Sequence, residues 1–227
     1  MEDLKTNRDA QITVGSIVFF LLAFPIYFGF AAGNADGSLS GSVVADYKVN
    51  GELTYVQLDS GTEYVADGTP WMDTFNTDAV DDADEMNIVG LRVSLSYGED
   101  EQARPGPGCI SQTAADTITG TATHLNFTGT GDGQNGGADG SHEVTAEWYN
   151  ASMVGAEVIE GLSMDDIKEQ IDSMGAGLGD HTVEISVAAQ ADSCTLVGGD
   201  NEDAGEEVSY VVELIVFDYT IVPVIEV

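Results

Sequence analysis

From Gln11 to Gly33 the chain reads QITVGSIVFFLLAFPIYFGFAAG, without one charged residue. As a helix such a run rises roughly 35 Å, enough to cross the hydrocarbon core of a bilayer. Apolar surface on this scale must be buried, in lipid or in a packed helical core, so the rest of the chain is expected on one side of it. The sequence therefore divides into a polar tail over 1–10, a single transmembrane helix over 11–33, a Gly/Ser/Asp linker over 34–42 and an extracytoplasmic domain over 43–227. Lys5 and Arg8 lie before the run and only Lys48 lies close behind it, a bias that puts the tail in the cytoplasm and the large domain outside the membrane. A cleaved secretory signal, with a small-residue site at Gly29-Phe30-Ala31, is the competing reading of the same run.

A third reading rests on a resemblance. Ala10-Gln11-Ile12-Thr13-Val14-Gly15-Ser16-Ile17-Val18-Phe19-Phe20 resembles the opening of archaellins and related archaeal type IV pilin-like subunits. The resemblance implies a leader cut between Ala10 and Gln11, an apolar helix packed into a filament core and a β-rich domain displayed outside. Pro25 sits inside the run, where it removes a helical hydrogen bond and kinks the helix. Lipid tolerates such a kink better than a stacked filament core does, so an uncleaved signal anchor is the first expectation and a filament subunit the second.

Forty Asp and Glu stand against six Lys and Arg, for a formal charge of -34. Nucleic acid is excluded as a partner, because a phosphate backbone is held by clustered Lys and Arg. Docking on anionic lipid is excluded for the same reason. The acid surplus is the solvated surface of a salt-adapted protein, where ionic screening removes the self-repulsion, and it fits an archaeal cell-surface protein. With 43% hydrophobic residues the chain is still expected to fold.

Beyond the linker the pattern is one of strands. Val43 to Val49 and Glu52 to Leu58 flank Asn50-Gly51, a pair that predicts a two-residue hairpin turn. The acidic stretch Asp78 to Glu85 reads as a solvated loop, and Asn87 to Tyr97 as a half-buried strand with Val89, Leu91, Val93, Leu95 and Tyr97 inward. Gly98 to Gly108 must be a loop, given Pro105 and Pro107. Thr117 to Thr128 predicts a strand, Gly129 to Ser141 a Gly-rich loop, and Glu143 to Tyr149 a further strand. A helix is expected over Met164 to Met174, capped by Ser163 with Asp166 three residues on and ended by Gly175. Thr182 to Ala189 alternates, and Val208 to Tyr219 is apolar on both faces, which predicts a central strand covered on both sides. The run from Gly179 through Val187 is similar to the penultimate strand of many immunoglobulin-like modules on microbial surfaces. The fold class expected is all-β: an antiparallel two-sheet β-sandwich, immunoglobulin-like or jelly-roll-like, with one inserted short helix and a transmembrane helix before it.

No catalytic motif is present. His142-Glu143 opens like a zinc-protease motif, but Ala146 stands where the second histidine belongs. His124, His142 and His181 are scattered in sequence, and no nucleophile elbow, phosphate loop or dinucleotide fingerprint occurs. Cys109 and Cys194 fall in the extracytoplasmic part, where they are expected to pair and close a long loop worth roughly 4 kcal/mol. Asn126 and Asn150 each begin an N-glycosylation triplet. Calcium is the one cofactor the loops suit, through Asp132 and Asp139 or through Asp200, Glu202 and Asp203, although neither loop has the EF-hand order. The function expected is non-enzymatic: a single-pass membrane protein whose outer domain binds a protein or glycan partner through loops at one end of a sandwich.

Overall fold

The computed structural model describes residues 44–98, 115–136, 139–190 and 203–224. The expected anchor over 11–33 with Ala10 and Gln11, both cysteines, and Asp200 and Glu202 lie outside the described residues. Among the described residues no helix is long and apolar enough to cross a membrane.

Among the described residues nine strands and one α-helix follow in order: β1 Val44–Ala66, β2 Trp71–Asn76, β3 Ile88–Tyr97, β4 Thr117–His124, β5 Phe127–Gln134, β6 Gly140–Glu147, β7 Ile159–Ser163, α1 Met164–Ile171, β8 Asp180–Ala188 and β9 Gly205–Pro223. They form a five-stranded sheet in the order β6-β3-β9-β1-β7 and a four-stranded sheet in the order β2-β8-β4-β5. Every pairing between these strands is antiparallel. The described residues thus build the expected antiparallel two-sheet β-sandwich with one short helix.

The expected central strand is β9, flanked by β3 and β1. Its residues Val208, Tyr210, Val212, Leu214 and Val216 join Leu91, Val93, Leu95, Val144, Ile118, Val183, Ile185 and Val187 in the core between the sheets. Its other face carries Ile215 and Phe217, which pack with Val49, Val89, Ile159, Ile167 and Ile171 in a second, smaller core beneath α1 and β7. Strand alternation therefore serves two cores at once. In β3 the shift of register between Ile88 and Gly90 moves Val89 into the second core, while Leu91 to Tyr97 face the first as expected.

Four local expectations are overturned. The Asn50-Gly51 turn does not form: β1 runs straight through it, pairing with β9 from Tyr47↔Pro223 to Ala66↔Gly205. A long antiparallel ladder outweighs the local turn preference, and neither residue has the positive φ that such a turn needs. Gly51 is required for another reason, since a Cβ there would run into the Phe217 ring and the Asp218 carbonyl. The single strand expected over 117–128 is a hairpin, β4 and β5, turning at Leu125, whose φ is 52°. The first part of the loop expected over 129–141 is β5, in which Gly129, Gly131 and Gly133 turn toward β6. At Gly129 a Cβ would strike the Thr145 main chain, so glycine lets the two sheets close along this side. Finally, α1 stops at Ile171, and Met174 lies beyond it with φ of 49° and its side chain exposed.

The two ends of the sandwich differ. At one end β1 begins and β9 ends, joined by the Val224 N–H on the Asp46 carbonyl at 2.7 Å, with α1 and β7 alongside. At the other lie Ala66 to Thr69, Gly98, Asp116, Asn135, Gln190 and Asp203, so the segments 99–114 and 191–202 both leave from there.

Candidate functional site

The chemistry concentrates at this second end, hereafter the loop end. Asp116 sits just before β4 and is fully buried. Its N–H donates to Asn135 Oδ1 at 2.9 Å and its Oδ2 accepts from Asn135 Nδ2 at 2.9 Å, a reciprocal pair that closes the open end of the β4-β5 hairpin. Its Oδ1 accepts the Gln190 N–H at 2.6 Å, tying in the end of β8. Glu206, 1% exposed at the start of β9, and Asp203, whose Oδ1 accepts the Gly205 N–H at 3.1 Å, complete a cluster. One carboxylate oxygen from each of Asp116, Asp203 and Glu206 lies within 4.8 Å of the others.

Burial pushes the Asp116 carboxyl up, but hydrogen bonding with Glu206, Asn135, the Gln190 main chain and Asp203 outweighs it and holds the group below the ordinary carboxylate range. Three carboxyls this close need protons or positive charge among them. The donor set is hard oxygen only, which suits calcium or magnesium rather than a thiophilic metal. Three carboxylates supply about half of the six to eight oxygens that calcium takes. With Asp116 and Glu206 buried, a substrate has no access to them, so this is no hydrolytic carboxylate pair in a cleft.

Of the calcium candidates read from sequence, Asp203 belongs to this cluster. Asp132 instead accepts from Thr119 Oγ1 at 2.6 Å on the exposed face of the four-stranded sheet, and Asp139 is exposed ahead of β6. Among the described residues neither belongs to a group of three metal-competent side chains. Asp116 escaped the sequence reading, because 90 residues separate it from Glu206 and it looks like an isolated acid beside a strand.

A second acidic feature is an open cleft of about 630 Å³ beside two 3-10 turns, lined by Asn76, Asp78, Val80, Asp82, Asp84 and Leu178, among others. It corresponds to the acidic stretch read as a solvated loop.

The fold joins two of the three scattered histidines. His124 and His181 stack with ring centroids 4.2 Å apart, and Trp148 covers His124 at 4.7 Å. Three of their four nitrogens are aimed at main-chain carbonyls of residues 176, 177 and 180, so they do not form a ligand pair. His142 stands apart, with Nδ1 3.1 Å from the Tyr97 hydroxyl, and burial pushes its pKa down.

The glycosylation candidates differ in the same way. Asn126 is exposed at the tip of the β4-β5 hairpin. Asn150 is half-buried: its Oδ1 accepts the Ser152 hydroxyl at 2.6 Å, and its Nδ2, the atom a glycan would use, donates to Gln170 at 2.9 Å. No protein-family model matches the chain, and no curated protein matches it either.

Proposed function

We propose that this chain is a non-enzymatic, single-pass membrane protein of an acidic, salt-adapted cell surface, displaying a β-sandwich that binds a protein or glycan partner through its loop end. The observation that carries the reading is the polarity of the domain. β1 starts, about ten residues after the apolar run, at the end opposite the one from which segments 99–114 and 191–202 depart. An anchor would thus hold one end at the membrane and leave the other free for contact, which is how loops on a rigid scaffold carry recognition. Asp116, bound to both Asn135 and Gln190, would hold the bases of these segments together. On this reading Cys109 and Cys194 pair and tie the two segments to each other, and Asn126 is the residue open to glycosylation.

Intact mass and N-terminal sequencing of the protein purified from its own membranes test the proposal. A chain that keeps residues 1–33 supports the anchor. A chain starting at Gln11 would replace it with the pilin-like filament subunit, and one starting near Ala32 with a released module. The same mass reports whether two hydrogens are missing at the cysteines.

A further inference from the structure

The two sheets treat their edges differently. Along one side of the sandwich β5 and β6 close on each other, so tightly that a Cβ at Gly129 would strike the Thr145 main chain. Along the other side β7 shields only the start of β1. It pairs from Val44↔Ser163 to Tyr47↔Ile159, and a bridge between Val49 and Val154 ends the cover. From Asn50 to Ala66 no described strand pairs with β1 on the side away from β9.

The ladder shows which main-chain groups this leaves open. The Val224 N–H on the Asp46 carbonyl makes those two residues a hydrogen-bonded pair, and in an antiparallel ladder such pairs alternate with unbonded ones. Asn50, Glu52, Thr54 and Val56 therefore bond to β9, while the N–H and C=O groups of Gly51, Leu53, Tyr55 and Gln57 point outward. The devices that blunt an edge strand, lysine, proline and a bulge, are missing between Gly51 and Gln57. That stretch reads GELTYVQ, β-branched and aromatic residues with a single charge, and the shift of register comes only after Gln57.

We propose that a second copy of this chain adds to this edge, β1 pairing antiparallel with β1 across a two-fold axis at Thr54. The edge is self-complementary in that register. Leu53 meets Tyr55, Glu52 meets Val56 and Gly51 meets Gln57, so no like charges are opposed, and cross-strand pairs of this kind are favourable. The charges beyond the paired stretch also match. Lys48 and Gly61 lie six rungs from Thr54 in opposite directions, at Val222 and Tyr210 against Val216 on β9. Lys48 of one copy thus comes opposite Gly61 of the other, between Asp59 and Glu63. Lys48 is exposed, and among the described residues both ion pairs belong to Arg92. The pairing stops where each strand changes: Val154 closes the edge at Val49, and the bulge bends β1 after Gln57. It needs no membrane. With the anchor of the proposed function, antiparallel strands place the two β1 starts at opposite ends, so the pair joins two facing membranes.

Cross-linking and sedimentation of the full chain in detergent test the pairing, in molar KCl where screening acts within roughly 3 Å. Thr54→Cys is expected to give a disulfide-linked two-chain band on oxidation, because unbonded opposite residues bring their Cα atoms about 4.5 Å apart. Glu63→Cys, far from the axis, should add nothing to the wild-type background. The wild type should sediment with twice the single-chain protein mass. Tyr55→Pro removes an outward N–H and keeps every bond to β9, and Thr54→Glu sets two carboxylates face to face; both should halve that mass with the β-sheet circular dichroism unchanged. A single-chain wild type, a Thr54→Cys band no stronger than that of Glu63→Cys, or a dimer that survives both Tyr55→Pro and Thr54→Glu overturns the proposal. Vesicles carrying the full chain should cluster, and Thr54→Glu should disperse them. A Thr54→Cys band without clustering contradicts the anchor and leaves the pairing standing.

Discussion

The two faces of β9 are buried by different means. Toward the four-stranded sheet, Val208 to Val216 meet side chains supplied by β2, β4 and β8, so the cover is a whole sheet and the load is spread. On the opposite face Ile215 and Phe217 are covered by an eight-residue helix and its flanking turns. A helix this short does not persist alone in water. It is held by a few named contacts: the capping box in which Ser163 and Asp166 satisfy each other's main chain, and Asn87, which donates to the Ile171 and Phe217 carbonyls and accepts the Ser173 N–H. Nearer the loop end the same face needs no helix. There Arg92 lies over the Tyr55 ring at 3.5 Å and binds Glu213 at 2.7 Å. One strand thus shows that a distributed cover and a pinned cover bury apolar surface equally well but fail differently, the first globally and the second locally.

Substitutions separate the two covers. Leu214→Ala, in the core between the sheets, is expected to cost about 4 kcal/mol, and hydrogen exchange should rise across both sheets. Asp116→Ala should cost about 3 kcal/mol by leaving the buried Asn135 amide without its partner and freeing the Gln190 main chain, with the loss read by chemical denaturation. Acid has the same sense there. A carboxyl held below its ordinary value contributes stability that is present at neutral pH and disappears as pH falls through the lowered value. Ile167→Ala should cost about 2 kcal/mol, concentrated in exchange of 159–173 while β4 and β8 keep their protection. Ser163→Ala, which removes the cap, should cost about 1 kcal/mol in the same local region. Thr121→Val, on the exposed face where Thr121 and Thr130 hydroxyls lie 3.4 Å apart, should change the denaturation midpoint by less than about 0.5 kcal/mol. A global response to Ile167→Ala, equal to that of Leu214→Ala, would erase the distinction between the covers.

The sequence announced those features that repeat locally. β3 and β9 were legible because alternation and a doubly apolar run are properties of neighbouring residues, and α1 because Ser163 and Asp166 mark its start. Its end was misread by three residues. Met174 fits the helical spacing, but Asn87, far away in sequence, draws the Ser173 N–H out of the helix. Asn50-Gly51 failed for a related reason, as nothing nearby reveals that β9 offers a continuous partner strand. Leu125-Asn126 lacks the glycine that usually marks a tight hairpin, so β4 and β5 fused into one expected strand. The glycines of β5 looked like a loop because their use, letting β6 approach, depends on a different segment. The site was legible only around Asp203, because Asp116 and the stacked histidines are assembled by the sheet register.

In the proposed function one end of the sandwich sits at a membrane and the other projects from it. The direct measurement is fluorescence quenching by lipid-borne quenchers on the full chain in a bilayer, with a fluorescent residue placed at exposed Val222 beside the start of β1 or, separately, at exposed Thr69 at the loop end. The account predicts strong quenching at position 222 and little at 69. Equal quenching at the two positions, or none at either, would contradict it.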